Sequence, residues 1–160
     1  MRLPKDAKIL GDPATAGFRV EQSPFFQMNR TVGAYSLAME RALRAVDMDI
    51  PRWRVLMLAH ERGPLSVGEI SENGVLKLST ATRVVQRLRD EGLVKLRRSK
   101  SDARVTEVQT TSRGARAVAV IRSVASQVYR DAFTGLDGAV VEALNGTLAR
   151  VQKNLRVGGG

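Results

Sequence analysis

Apolar side chains recur every three or four positions along several stretches of this chain, a spacing that places them on one face of a helix. The first stretch begins at Phe25 and continues to Val46, and two more lie on either side of a break at Gly135. Residues 25–48 are therefore predicted to form one long helix, and residues 112–157 are predicted to form two.

Capping residues divide the middle of the chain into shorter helices. Asp49 is predicted to cap one of them, and Ser66 and Glu69 have the spacing of a capping box at the start of the next. A third helix is predicted to begin with Ser79 as its N-cap and to end at Glu91, before a glycine suited to a left-handed backbone.

The hydrophobic period changes after this third helix. Residues 93–97 and 105–109 alternate in polarity and flank a charged loop at 98–104, which predicts a β-hairpin. Two short helices followed by a two-stranded hairpin are typical of a winged helix-turn-helix, in which the second helix is the recognition helix. The predicted fold class is mainly α (α+β), a winged helix-turn-helix with long N- and C-terminal dimerisation helices.

The chain divides into three predicted regions. Residues 1–24, rich in Pro and Gly, form an irregular N-terminal arm. Residues 49–111 form the winged helix-turn-helix, and residues 25–48 and 112–157 form a helical dimerisation region. The apolar stripes of the dimerisation region are longer than the small winged core can cover, which predicts a homodimer. Packing of these stripes within one chain is the alternative.

Charge points to a polyanionic partner. The chain has a formal net charge of +10, which attracts nucleic acid or an anionic membrane surface. No apolar run approaches the ~20 residues needed to span a bilayer, and no secretory signal is present, so we expect a soluble, cytoplasmic protein without a membrane partner. Residues 79–104 contain eight Lys or Arg and three Asp or Glu, a net charge of +5 in the recognition helix and hairpin.

The predicted DNA contacts lie on these two elements. On the recognition helix they are the polar and cationic residues opposite its apolar face: Ser79, Thr80, Thr82, Arg83, Gln86 and Arg87. In the hairpin they are Arg97, Arg98, Lys100, Asp102 and Arg104. Arginine can pair with guanine and glutamine with adenine in the major groove, and an arginine in the hairpin can enter the adjacent minor groove. Arg83, Gln86 and Arg87 are the best candidates for reading bases.

These residues also allow other interpretations. A charged helix face can simply be solvated, and a winged helix can serve as a protein-interaction module without DNA binding. An enzyme is not indicated, because the chain has no cysteine, one histidine and no phosphate-binding glycine loop. No metal site or cofactor is predicted.

The sequence resembles the multiple antibiotic resistance regulator (MarR) family of transcription factors. The stretch "WRVLMLAHERGPLSVGEIS" looks like the family's second helix, first strand and first helix of the motif. The stretch "LSTATRVVQRLRDEGLVKLRRSKSDARVTEVQTTSRG" looks like its recognition helix and wing. The most specific element is the wing's Asp-x-Arg, here Asp102 and Arg104, followed by Thr111 and Gly114. Thr110 stands where the family usually has leucine.

The resemblance implies a function and a mechanism. Similar proteins are homodimers that bind pseudo-palindromic double-stranded DNA, usually as repressors, and many release DNA when a small aromatic or acidic molecule enters a pocket beside the motif. By this likeness Arg104 enters the minor groove and Asp102 steadies it. The predicted ligand-binding residues are Tyr35, Trp53, Met57 and His60. Aromatic and methionine side chains at helical spacing are also typical of a protein core, which is the alternative.

Overall fold

The computed structural model describes residues 11–99, 102 and 104–157. Lys100, a predicted DNA contact, lies outside the described residues. The elements in chain order are a short 3-10 helix (Val20–Gln22), α1 (Pro24–Arg44), α2 (Ile50–Glu61), β1 (Leu65–Ser66), α3 (Val67–Asn73), α4 (Leu78–Asp90), β2 (Val94–Arg98), β3 (Thr106–Thr110), α5 (Ser112–Ala132) and α6 (Gly138–Val157). The mainly helical winged helix-turn-helix predicted from the sequence is confirmed.

Two of the predicted helix caps are present. The Asp49 side chain accepts a hydrogen bond of 2.8 Å from the backbone N–H of Arg52 at the start of α2. Ser66 and Glu69 form both halves of a capping box at the start of α3. The backbone N–H of Ser66 stabilises the charged carboxylate and so lowers the pKa of Glu69 below its ordinary value.

The predicted cap of α4 is wrong by two residues. Lys77, not Ser79, is the N-cap, and its side chain makes no capping hydrogen bond. The chain leaves α3 through Val75, whose φ of 51° is left-handed, and this turn lets the N–H of Ala81 bond to the carbonyl of Lys77 at 2.9 Å. Helical hydrogen bonding therefore begins at Lys77, two residues before Ser79, whose hydroxyl was predicted to cap the helix. Gly92 ends the helix as predicted, with a φ of 70°.

The sheet contains one strand more than the alternating pattern indicated. β3 lies in the centre of an antiparallel sheet with the order β1-β3-β2. β1 has two residues, too few to show a period of two, and only the family resemblance implied it. The hairpin pairs Val94 with Thr110 and Arg98 with Thr106, so both strands lie one residue later in the chain than predicted.

The junction between the sheet and α5 explains the Thr-x-x-Gly pattern. Thr111 caps α5 by accepting a hydrogen bond of 3.0 Å from the N–H of Gly114, and its hydroxyl donates to the carbonyl of Gly92 at 2.8 Å. A side chain at Gly114 would collide with the carbonyl oxygen of Leu93, so only glycine fits there. Thr110, in the place of the usual leucine, has a buried hydroxyl without a partner among the described residues.

The winged motif shares one hydrophobic core with the C-terminal end of α1 and the first half of α5. Leu43 of α1, Leu56 of α2, Ile70 of α3, Leu88 of α4 and Val108 of β3 are all fully buried. α1 packs against α5, while α2 contacts α1, α4, α5 and β3. α2 is therefore the element that joins the long helices to the recognition helix.

α6 differs from the other helices. It makes no extended contact with any other element of the described chain, and no side chain between residues 138 and 156 is buried. Its apolar stripe is open to solvent, with Val140 48%, Leu144 43% and Leu155 61% exposed. No described helix combines the length and the apolar character needed to cross a membrane.

Candidate nucleic-acid interface

α4 has one buried face and one exposed polar face. Ala81, Val85 and Leu88 are buried against the core. The residues predicted to contact DNA lie outside this buried face, with Thr80 half-buried and the others exposed: Ser79, Thr80, Thr82, Arg83, Gln86 and Arg87. The structure therefore brings all six recognition-helix candidates to the accessible part of one helix.

Arg83 and Gln86 have free hydrogen-bonding groups. Both side chains are exposed, and neither makes a hydrogen bond or ion pair with another described residue. Thr82 differs, because its hydroxyl donates to the carbonyl of Leu78 at 2.9 Å. Arg83 and Gln86 can thus offer all their donors and acceptors to base edges.

Arg87 is already engaged within the protein. Its Nε lies 3.0 Å from Oε1 of Glu91, and its Nη1 lies 3.6 Å from Oδ2 of Asp49. The side chain is still 59% exposed. Arg87 therefore differs from Arg83, because two carboxylates offset its charge and fix its direction.

Arg52 lies behind Arg87 and was missed in the sequence analysis. It is 5% exposed and donates to Oδ2 of Asp49 at 2.8 Å, to Oε1 of Glu91 at 2.8 Å and to the carbonyl of Asp47 at 2.7 Å. Burial alone would lower the pKa of Arg52, but hydrogen bonds and charges from Asp49 and Glu91 outweigh it and raise the pKa. The Asp49–Arg52 spacing gave a weak signal of this ion pair, while Glu91, 39 positions away, gave none.

The wing carries both paired and free cations. Arg97 forms an ion pair of 3.0 Å with Glu107, the residue opposite it on β3. Arg98 and Arg104 are exposed and make no side-chain hydrogen bond or ion pair with a described residue. Glu107 was missed because the predicted strand bounds were one residue too early. α4 packs against β2, so the wing adjoins the recognition helix.

Asp102 shapes the backbone of the wing tip. Its carboxylate accepts a hydrogen bond of 2.9 Å from the backbone N–H of Arg104, and its carbonyl accepts one of 3.0 Å from Val105. This is the turn in which an aspartate bonds to the backbone two residues later. These bonds of Asp102 close the turn, and its carboxylate makes no bond to the Arg104 guanidinium among the described residues.

Three of the predicted ligand-binding residues meet at one cavity. Tyr35, Trp53 and Met57 line a space of about 320 Å³ between α1, α2 and α5, with Arg122 at its edge. The Trp53 Nε1 atom is buried and has no partner among the described residues. Burial raises the pKa of Tyr35, and the nearby Arg54 partly opposes this. His60 lies elsewhere, exposed at the end of α2 and beside a different pocket, so the structure does not bring it together with the other three residues.

A larger open groove runs between α1 and α5. It has a volume of about 910 Å³, and its walls include Ala34, Ala38, Val124 and Val128, with Arg41 among the polar residues beside them. Small side chains on α1 leave room for the close approach of another helix. This groove and the stripe on α6 are both apolar and open to solvent.

Comparison with known proteins identifies the family. A sequence model of the MarR family matches residues 48–106. The HTH-type transcriptional repressor IacR of Pseudomonas putida is 41% identical over 90% of this chain and 86% of its own length. The chain belongs to the MarR family. It is a DNA-binding transcriptional regulator, as the sequence predicted.

Solved structures of MarR-family proteins have the same fold. A MarR-family regulator from Silicibacter pomeroyi superposes with a TM-score of 0.80 at 22% identity, covering 89% of this chain and 97% of its own. CouR of Rhodococcus jostii RHA1, solved with p-coumaroyl-CoA bound, has a TM-score of 0.74 at 22% identity, covering 91% of this chain and 95% of its own.

Regulators of the MarR family share properties that relate to the surfaces described above. Regulators of this family bind DNA and small-molecule ligands and function as dimers. The family match spans α2, the helix-turn-helix and the first strand of the wing, the part that contains the exposed cations. No cluster of His, Asp and Glu within the described residues could hold a metal ion.

Proposed function

We propose that this MarR-family regulator binds a pseudo-palindromic operator as a homodimer and represses transcription. The observation that supports this proposal most directly is the exposed face of α4. On it, Arg83 and Gln86 make no bond to another described side chain, while the opposite face of the helix is buried in the core. A major groove is about 12 Å wide and admits one α-helix, so this face can be laid against base edges. The similarity to IacR, which is named a repressor, supports repression over activation.

Five residues of this surface have a proposed partner in the DNA. Arg83 pairs with guanine and Gln86 with adenine, because their side chains match the donor and acceptor patterns of those bases. Ser79 and Thr80 lie in the first turn of α4, where free N–H groups and the helix dipole favour a phosphate. Arg104 reaches the flanking minor groove, whose negative potential attracts arginine.

The proposed dimer is supported by two apolar surfaces that the described chain leaves open to solvent. α6 makes no extended contact with another element of the described chain, and the α1 wall of the groove between α1 and α5 contains small side chains such as Ala34 and Ala38. A second copy whose helices cover these surfaces would remove both from water. Two-fold symmetry would then set the two α4 helices about one DNA turn, roughly 34 Å, apart.

Selection of bound duplexes from a random library tests this function. We expect the enriched sequences to share a two-fold symmetric site whose half-sites are centred about 10 base pairs apart. An interaction module that does not bind DNA would enrich nothing. An enriched site without symmetry would contradict the dimeric arrangement.

We also propose that a small aromatic acid controls DNA binding from the cavity between α1, α2 and α5. The buried Trp53 Nε1 lacks an acceptor, and a buried N–H without one is costly, so a ligand carboxylate or carbonyl that displaces the atoms covering it would gain a hydrogen bond. The centroid of the Tyr35 ring lies 6.4 Å from that of the Trp53 ring, and the two tilted rings together give the cavity an aromatic wall. Arg122 stands at the edge, paired with Glu61 at 2.9 Å, and can attract an anion. The fold of CouR, solved with p-coumaroyl-CoA, supports ligand binding in general terms.

Trp53 is an intrinsic fluorescent probe of the cavity that it lines. It is the only tryptophan of the chain, so an aromatic carboxylate that enters the cavity should change the intrinsic fluorescence of the protein, and it should release operator DNA. Trp53→Phe keeps an aromatic ring but removes the N–H, so release should need about five-fold more ligand or higher. Aromatic amides of the same shape as the carboxylates serve as uncharged control ligands. Release at unchanged concentration in the variant would exclude Trp53 as the donor.

A further inference from the structure

We propose that Arg52 is a positioning residue for DNA recognition. It holds the carboxylates of Asp49 and Glu91, and these in turn fix the guanidinium of Arg87 at the edge of the recognition helix. The inference rests on the proposed function, and it adds Arg87, a predicted base-reading residue, to the operator contacts.

The two arginines share the same two oxygen atoms. Oδ2 of Asp49 lies 2.8 Å from Arg52 and 3.6 Å from Arg87. Oε1 of Glu91 lies 2.8 Å from Arg52 and 3.0 Å from Arg87. Two cations and two anions therefore form one cluster, in which the side chain of the inner arginine is 6% exposed and that of the outer arginine is 59% exposed.

The inner arginine is the fixed part of this cluster. Its three bonds reach the loop after α1 at Asp47, the N-cap of α2 at Asp49 and the C-cap of α4 at Glu91. A buried guanidinium has a planar fork of donors and loses little further freedom when each donor is bonded. The positions of both carboxylates are thus set from inside the protein.

The two carboxylates set the direction of the outer arginine, Arg87. Arg87 uses Nε and Nη1 toward Glu91 and Asp49, and its Nη2 has no partner within the described residues. A side chain that is already held loses less conformational freedom on contact with DNA than a free one. The same carboxylates offset its charge, so the arrangement favours a directed contact over general attraction to phosphates.

This role predicts an effect on discrimination between operator and random DNA. Arg52→Lys keeps the buried positive charge but replaces the planar fork, so it cannot hold both carboxylates and Asp47 together. We expect the ratio of operator affinity to random-duplex affinity to fall at least five-fold, while the affinity for random duplex changes less than two-fold. Circular dichroism and sedimentation should show an unchanged, folded dimer.

A double-mutant cycle separates positioning from a merely structural role. In an Arg87→Ala background, Arg52→Lys should change the operator dissociation constant by less than two-fold, since the group it positions is gone. An equal loss with and without the Arg87 side chain would mean that Arg52 only places α4, and would overturn the proposal.

Glu91→Gln provides the test should Arg52→Lys fail to fold, because Glu91 is at the partly exposed end of the cluster. Asp90→Asn is its matched control, a neighbouring carboxylate that pairs with Arg89 at 2.7 Å and lies outside the cluster. Both variants remove one negative charge and should raise random-duplex affinity alike. Only Glu91→Gln should lower the operator-to-random ratio, and equal ratios in the two variants would contradict the proposal.

The same set distinguishes this inference from the proposed function. Arg87→Ala should weaken operator binding at least five-fold. If it leaves operator affinity unchanged, Arg87 is not a contact and the inference fails, although symmetric operator selection by the rest of the surface can still succeed. If selection itself enriches nothing, the proposed function fails first.

Discussion

Arg104→Ala is expected to weaken operator binding about 30-fold or more, because an arginine contact contributes about 1–3 kcal/mol and the dimer carries two copies. The side chain is exposed at the wing and has no ion-pair partner among the described residues, so nothing in the protein replaces its contact. Its backbone turn is closed by Asp102 and does not depend on the guanidinium. Fluorescence anisotropy with the selected operator at fixed salt measures the loss.

Two comparisons make the Arg104 result interpretable. Lys153→Ala removes the same charge from exposed α6 and should change affinity less than two-fold. Arg97→Ala, in the same wing, should cost less than Arg104→Ala, because the Arg97 charge is already paired with Glu107. Unchanged operator affinity in Arg104→Ala would refute the placement of the wing in the minor groove.

Leu144→Glu is expected to dissociate the dimer and to abolish operator binding at nanomolar concentrations. Leu144 lies in the middle of the open apolar stripe of α6, where a second copy would bury it. An unpaired carboxylate in such an interface costs several kcal/mol, and both protomers would carry one. A monomer presents a single α4, so it loses the second half-site. Sedimentation at micromolar concentration gives the mass directly.

Ala149→Glu is the matched control for the dimer. It adds the same charge to the same helix, but on the side away from the stripe, where the residue is exposed. This variant should remain dimeric and bind the operator. A Leu144→Glu protein that stays dimeric with full affinity would show that α6 does not form the interface.

The features that the sequence predicted correctly are those whose sequence signals lie within one helical turn. The Asp49 cap, the Ser66–Glu69 capping box and the left-handed Gly92 each depend on residues within one turn, and all three are present. The Ser79 cap failed because the backbone turn at Val75 starts α4 earlier. A local signal is decisive only where no neighbouring turn competes with it.

The candidate site was predictable in its residues but not in its pairings. Exposure of Arg83 and Gln86 follows from helical period alone. The Arg52–Glu91 bond joins residues far apart in sequence, and no period reveals it. His60 shares a face with Trp53, but seven residues place it about 10 Å further along the helix axis, beyond the cavity.

Targeted cleavage of operator DNA tests the central claim most directly, namely that α4 and the wing of one protomer lie in adjacent grooves. The chain has no cysteine, so Gln86→Cys on α4 and Thr106→Cys on the wing each give one attachment point for an iron chelate. Lys153→Cys on α6 is the control. We predict cleavage centred within each half-site from position 86, cleavage in the flanking minor groove from position 106, and none from position 153. Cleavage from position 153 instead, or the same cuts from positions 86 and 106, would contradict the account.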